Sequence, residues 1–118
     1  MSKPLSLHVI ALAWPLVEDR KTWTTHALGR DARGDSCDPL DAKAVRWCAY
    51  GALMKAAFDL TGDKNQAHRL AAQAAAHMTG SKSPETAYMD IYAANDSGTR
   101  LAARKTLKAM FDRGLVTA

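Results

Sequence analysis

Residues 47–57 read WCAYGALMKAA, and the setting of this stretch decides the fold. Around it, the polar residues Lys43, Arg46, Lys55 and Asp59 fall into two narrow sectors of a helical projection. Val45, Trp47, Cys48, Ala49, Ala52, Leu53, Met54, Ala56 and Phe58 are left to be buried around most of the circumference, as in a central helix packed by neighbours on several sides. The spacing predicts that this helix opens near Asp38-Pro39 or at Asp41, because Asp caps free amides and Pro suits the first helical position. It runs to about Leu60 and closes at Gly62, which can take the left-handed terminal conformation. Gly51 costs a helix about 1 kcal/mol relative to Ala, which predicts a close neighbour against its backbone.

Working outward, four more helices are expected. The first covers about residues 5–20, with Leu5, Val9, Leu12 and Leu16 at near-helical spacing and a kink or early end at Pro15. The third spans Asp63 to Gly80 and sets Ala67, Leu70, Ala71, Ala74 and Met78 opposite a polar face, a flat side suited to close helix packing. The fourth starts at Ser83-Pro84-Glu85, turns Ala87, Tyr88, Ile91 and Tyr92 inward, and ends about Ala94. The fifth is capped by Asp96 or Ser97, runs to Gly114, and packs through Ala103, Leu107, Met110 and Phe111. Between helices one and two lies an irregular excursion with Trp23 as its anchor; alternation at 23–28 permits a short extended piece there. The fold class is therefore mainly α, a single compact domain of about five helices, 1–118.

The composition, 47% hydrophobic and 24% charged, suits a folded globular domain and excludes a disordered chain. No stretch approaches the ~20 apolar residues of a membrane span, so no membrane partner is expected. The run LSLHVIALAWPLV after Lys3 imitates a signal peptide, but its apolar core is too short and contains His8. With two cysteines, Cys37 and Cys48, and no export signal, a cytoplasmic protein with reduced thiols is the expectation.

A reactive thiol needs a base, a cation or a metal beside it. The order Cys48, then His68 or His77, then Asn95 imitates a cysteine-hydrolase arrangement, with His8 and His26 as other bases. Placed mid-helix among aromatics, however, Cys48 reads as a small packing residue whose burial raises its pKa. In that setting serine should be no better tolerated than alanine. The chain has no C-x-x-C, no H-x-x-x-H and no phosphate-cradling glycine loop, so neither a metal nor a cofactor is expected.

Charge supplies the positive signal. Segment 100–113 sets five basic residues against Asp112, a net +4, while the rest of the chain balances eleven against eleven. Arg100, Arg104 and Lys108 are four apart and share a helical stripe with Lys105 beside it, a candidate surface for phosphate or an acidic protein. No aromatic is interleaved with these charges, which disfavours single-strand stacking.

Trp23 with its downstream Gly-Asp loop, Asp38-Pro39-Leu40-Asp41, Ala44, Trp47-Cys48-Ala49-x-Gly51-Ala52-Leu53 and Asn95-Asp96 before Thr99 form a wider pattern. It resembles a small uncharacterised family of bacterial and phage proteins over about residues 9–113, with Ala94 where that resemblance leads one to expect a tryptophan. The resemblance implies a mainly helical cytosolic domain without an assigned reaction. Trp23, Trp47, Cys48, Gly51, Asn95 and Asp96 read as a packing constellation of anchor, core, close contact and cap. The functional expectation is a non-enzymatic binding domain working through a protein partner, an accessory or modulator from a phage or mobile element. Nucleic-acid binding through the basic helix and a cysteine-dependent hydrolase are the alternatives.

Overall fold

A computed structural model describes residues 4–116; Lys3 lies outside them. Helix α1 (Leu5–Glu18) buries Ser6, Leu7, Val9, Ile10, Ala13 and Val17. Of the residues expected on that face, Val9 is buried and Leu16 half-buried, but Leu5 and Leu12 are about half exposed, at 50% and 51%. With apolar residues on every side of this helix, its spacing did not identify the inner face. The helix runs through Pro15 to Glu18. Pro15 and Ala11, the residue whose carbonyl its missing N–H would have used, are both exposed, so water can satisfy that carbonyl.

The excursion after α1 builds a small sheet. Strands β1 (Gly29–Arg30), β2 (Ser36–Cys37) and β3 (Arg46–Trp47) lie in the order β2-β1-β3, with β1 antiparallel to both neighbours. The extended segment thus lies beyond 23–28, although Trp23 itself bridges Trp47. There the Thr24 amide donates to the Trp47 carbonyl at 3.0 Å and the Trp47 amide to the Thr22 carbonyl at 2.7 Å. Arg30 staples the loop by donating to Thr24 Oγ1, the Thr25 carbonyl and the Gly34 carbonyl.

Helix α2 spans Ala49–Thr61, so it opens well after the expected start. Asp38 and Asp41 instead cap turns: Asp38 Oδ1 accepts the Leu40 amide and Asp41 Oδ1 the Lys43 amide. The carboxylate chemistry that caps a helix also closes an Asx turn, and Pro39 suits either. Val45 is consequently exposed, Arg46 and Trp47 belong to a strand, and Cys48 is the N-cap of α2 and not a mid-helix residue. The Trp47 indole N–H donates to the Pro39 carbonyl at 2.9 Å, closing the turn onto the sheet.

The boundaries of the third helix and the start of the fourth follow the expected signals, whereas the end of the fourth and the start of the fifth do not. Helix α3 (Lys64–Thr79) is capped by Asp63, whose Oδ1 accepts the Asn65 and Gln66 amides, and Gly80 closes it in the left-handed conformation. Helix α4 (Pro84–Asp96) begins after Ser83 but continues through Asn95 and Asp96, which were expected to break it. Helix α5 (Arg100–Val116) starts after Thr99, whose Oγ1 accepts the Ala102 amide, so neither Asp96 nor Ser97 is its cap. Helices α2 and α3 pack against each other, and both carry fully buried alanines: Ala49, Ala52 and Ala57 in α2, and Ala67, Ala71, Ala74 and Ala75 in α3. Side chains this small let the helix axes approach closely. Gly51 makes the other close contact, since a Cβ there would fall on the Leu28 carbonyl.

Candidate functional site

Asn95, at the C-terminal end of α4 and 1% exposed, joins three segments distant in sequence. Its Oδ1 accepts the Trp23 indole N–H at 2.8 Å and the Ala49 amide at 2.9 Å. Its Nδ2 donates to the Thr24 carbonyl at 3.2 Å and to Asp96 Oδ1 at 2.7 Å. All four hydrogen-bonding positions of the amide are used, as a buried amide requires. The sequence suggests a cap at Asn95-Asp96, and nothing local in the chain signals the role of Asn95 as a buried junction.

Asp96 extends the junction towards solvent. Its Oδ1 also accepts the His26 amide at 2.9 Å, which holds His26 at φ 61, the single non-glycine positive φ among the described residues. The His26 Nδ1 lies 3.8 Å from Asp96 Oδ2. These two residues form a cleft of about 330 Å³ with Ala27, Leu28, Cys48 and Tyr92. Behind it Tyr50, Tyr88 and Tyr92 pack ring against ring at 5.4–5.9 Å. Burial, then the neighbouring Tyr92 and Tyr88, pushes Tyr50 up to about 12.

Although the Asp96 carboxylate disfavours a thiolate, Cys48 sits at a helix N-terminus with the His26 imidazole lining the same cleft, a setting that can activate a thiol. Burial outweighs that influence. The residue is 3% exposed, and desolvation pushes its pKa up to about 11 despite opposing hydrogen bonds from the Gly51 and Tyr50 amides. The Gly51 N–H donates to Sγ at 3.3 Å, so the sulfur serves as the helix cap. At neutral pH it is a protonated thiol and a poor nucleophile. His68 and His77 lie on α3 and His8 on α1, and none of them lines this cleft.

The basic stripe of α5 is partly consumed by the fold. Arg104 donates through both terminal nitrogens to the carbonyls of Val17 and Glu18, closing the C-terminus of α1. Lys108 pairs with Asp112 at 2.8 Å. Lys105 is exposed. Arg100 and Arg104 hold their guanidinium carbons 5.1 Å and 5.3 Å from the centre of the buried Trp23 ring. Arg20, absent from the sequence-level stripe, joins them in a cleft of about 300 Å³ lined by Arg20, Trp23, Arg100, Leu101 and Arg104. Among the described residues, no acidic side chain lines it. Arg20 lies in the turn after α1, and its proximity to α5 depends on the tertiary fold.

Among the described residues, no group of three or more His, Cys, Asp or Glu side chains is placed to hold a metal ion. No helix among them is long and apolar enough to cross a membrane.

A helical bundle that carries a three-stranded flap, with the two tied by Trp23 and Asn95, defines the class of domain. The chain belongs to DUF6197, a family of unknown function, whose model matches residues 1–111. No curated protein and no solved structure matches it.

Proposed function

We propose that this domain acts by binding and not by catalysis, docking an acidic segment of a protein partner in the Arg20–Arg100–Arg104 cleft. The observation that carries the reading is the convergence of Arg20 and Arg100 on one cleft that no carboxylate lines among the described residues, with Arg104 fixed beside them by its bonds to the Val17 and Glu18 carbonyls. Leu101, 59% exposed, stands on its rim and supplies apolar contact of the kind a peptide uses. Two features favour a protein over nucleic acid. The Trp23 face is covered by Arg100 and Arg104 and is not free to stack a base. Arg104 and Lys108 already have internal partners, which leaves few cations to track a phosphate backbone. A cysteine-hydrolase reading gains from the shared cleft of Cys48, His26 and Asp96, but the raised thiol pKa weighs against it. The domain is read as a cytosolic accessory or modulator encoded by a phage or mobile element; its two free cysteines suit a reducing compartment.

The test measures affinity for a ten-residue glutamate-rich peptide, comparing the wild type with the double variant Arg20→Glu, Arg100→Glu. Among the described residues neither side chain makes a hydrogen bond or ion pair; Arg100 gives up its contact over Trp23, but Arg104 still covers that ring and Asn95 still holds the indole, so the variant should remain folded. Saturable binding by the wild type, weakened about tenfold or more by the reversals through slower association, supports the reading. Equal affinity in both proteins contradicts it.

A further inference from the structure

We propose that the cleft beside His26 and Asp96 binds a small organic molecule through a protonated primary amine. This site is separate from the arginine cleft and does not depend on the reading of that cleft. Asp96 Oδ1 is occupied by the Asn95 Nδ2 and the His26 amide, which fix the carboxylate in place. Its Oδ2 accepts no hydrogen bond among the described residues and stands 3.8 Å from His26 Nδ1. That separation is too long for a direct hydrogen bond. It suits one nitrogen placed between the two acceptors at roughly 2.8 Å from each, with the imidazole proton on Nε2. An ammonium has three N–H donors and can serve both while its charge meets the carboxylate.

The rest of the cleft selects the tail. Ala27, Leu28 and Cys48 give it apolar walls, the last as a neutral thiol, and the Tyr92 ring closes one side. At about 330 Å³ the space takes a short apolar chain and not a large cofactor. The one strained backbone position of the loop, His26 at φ 61, orients the imidazole acceptor. His26 and Asp96 also line an adjoining recess of about 90 Å³ that Arg100 borders, but the Arg100 guanidinium is drawn over Trp23. A free small amine and a peptide lysine present the same head group, so both belong in the test.

The experiment is an amide chemical-shift titration of the full chain with n-butylamine, 1-butanol, tetramethylammonium and N-acetyl-lysine amide. Saturable shifts at His26, Leu28 and Asp96 with n-butylamine are expected, with the alcohol and the quaternary ion about tenfold weaker or worse. Tighter binding of the lysine derivative also supports the site and assigns the amine to a peptide; weaker binding assigns it to a free small amine. Asp96→Asn keeps a carbonyl to accept the His26 and Asn95 donors, so the fold should hold while n-butylamine affinity falls about tenfold or more. Ala27→Leu should block binding by filling the cleft without touching the polar network. Equal affinity for butanol, tetramethylammonium and butylamine would overturn the proposal. So would an Asp96→Asn protein that binds like the wild type, or the absence of saturable shifts at millimolar amine.

Discussion

The Trp23 indole N–H donates to Asn95 Oδ1 at 2.8 Å across a sequence separation of 72 residues, with both side chains 1% exposed. The bond ties the sheet-bearing excursion to the end of α4, and through the Ala49 amide the same oxygen holds the first turn of α2. Asn95→Ala would leave the indole N–H, the Ala49 amide and the Thr24 carbonyl without partners. Each unsatisfied buried group costs about 1–3 kcal/mol, so urea unfolding should show a loss of about 3–5 kcal/mol. A loss below about 1 kcal/mol would mean that water replaces the amide and the junction is not buried as described.

Trp23→Ala should cost about 3–5 kcal/mol and raise protease sensitivity selectively within residues 21–47. The indole supplies both the bond to Asn95 and the surface on which Arg100 and Arg104 rest. Unchanged cleavage in that segment would show that the sheet holds the excursion without its anchor.

Gly51→Ala in an ordinary helix interior would gain about 1 kcal/mol of helix stability. Here the added methyl meets the Leu28 backbone carbonyl, which cannot move without disturbing the sheet next to Gly29. Overpacking costs of about 1–3 kcal/mol or more should dominate, giving net destabilisation in a urea melt. A neutral or stabilising result would place Leu28 farther from α2 than the structure does.

As the N-cap of α2, Cys48 reverses the order expected for a mid-helix thiol. Serine can still accept the Gly51 amide and alanine cannot, so Cys48→Ala should cost about 1–2 kcal/mol and Cys48→Ser less. Thermal or urea unfolding of the two variants gives the ranking directly, and alanine outranking serine would restore the packing-only view.

The misplaced start of α2 shows where the sequence was legible. Capping at Asp63, the glycine closures at Gly62 and Gly80 and the proline start at Pro84 depend on neighbours within a turn, and the structure follows them. Asp38-Pro39 offered the same local chemistry but served a turn, because the strand at Arg46–Trp47 paired with Gly29–Arg30, a partner outside any local window. The close backbone contact at Gly51 was legible because its helical cost implied a reason. The convergence of Arg20 with Arg100, and of His26 with Asp96, was not, since these residues are about 70–80 positions apart and carry no shared periodicity.

Alkaline pH should destabilise the fold through Cys48. Burial raises the thiol from 9.0 to about 11, so the unfolded chain loses its proton first. The thiol's contribution is fully present below about pH 9 and is lost as pH rises towards 11. Tyr50 acts in the same direction at still higher pH. In a Cys37→Ser background, thiolate absorbance should appear with a midpoint near 11, and Cys48→Ala should flatten part of the decline in Tm. A midpoint near the ordinary thiol value would mean that solvent reaches the sulfur.

The binding reading is tested most directly by the salt dependence of wild-type affinity for duplex DNA, measured beside the glutamate-rich peptide. With Arg104 and Lys108 engaged internally, the predicted result is peptide binding that weakens with salt and no measurable DNA binding at physiological ionic strength. Tight DNA binding there, with a logarithmic salt slope of several units at about −0.9 per neutralised phosphate, would contradict it and make the basic helix a nucleic-acid surface.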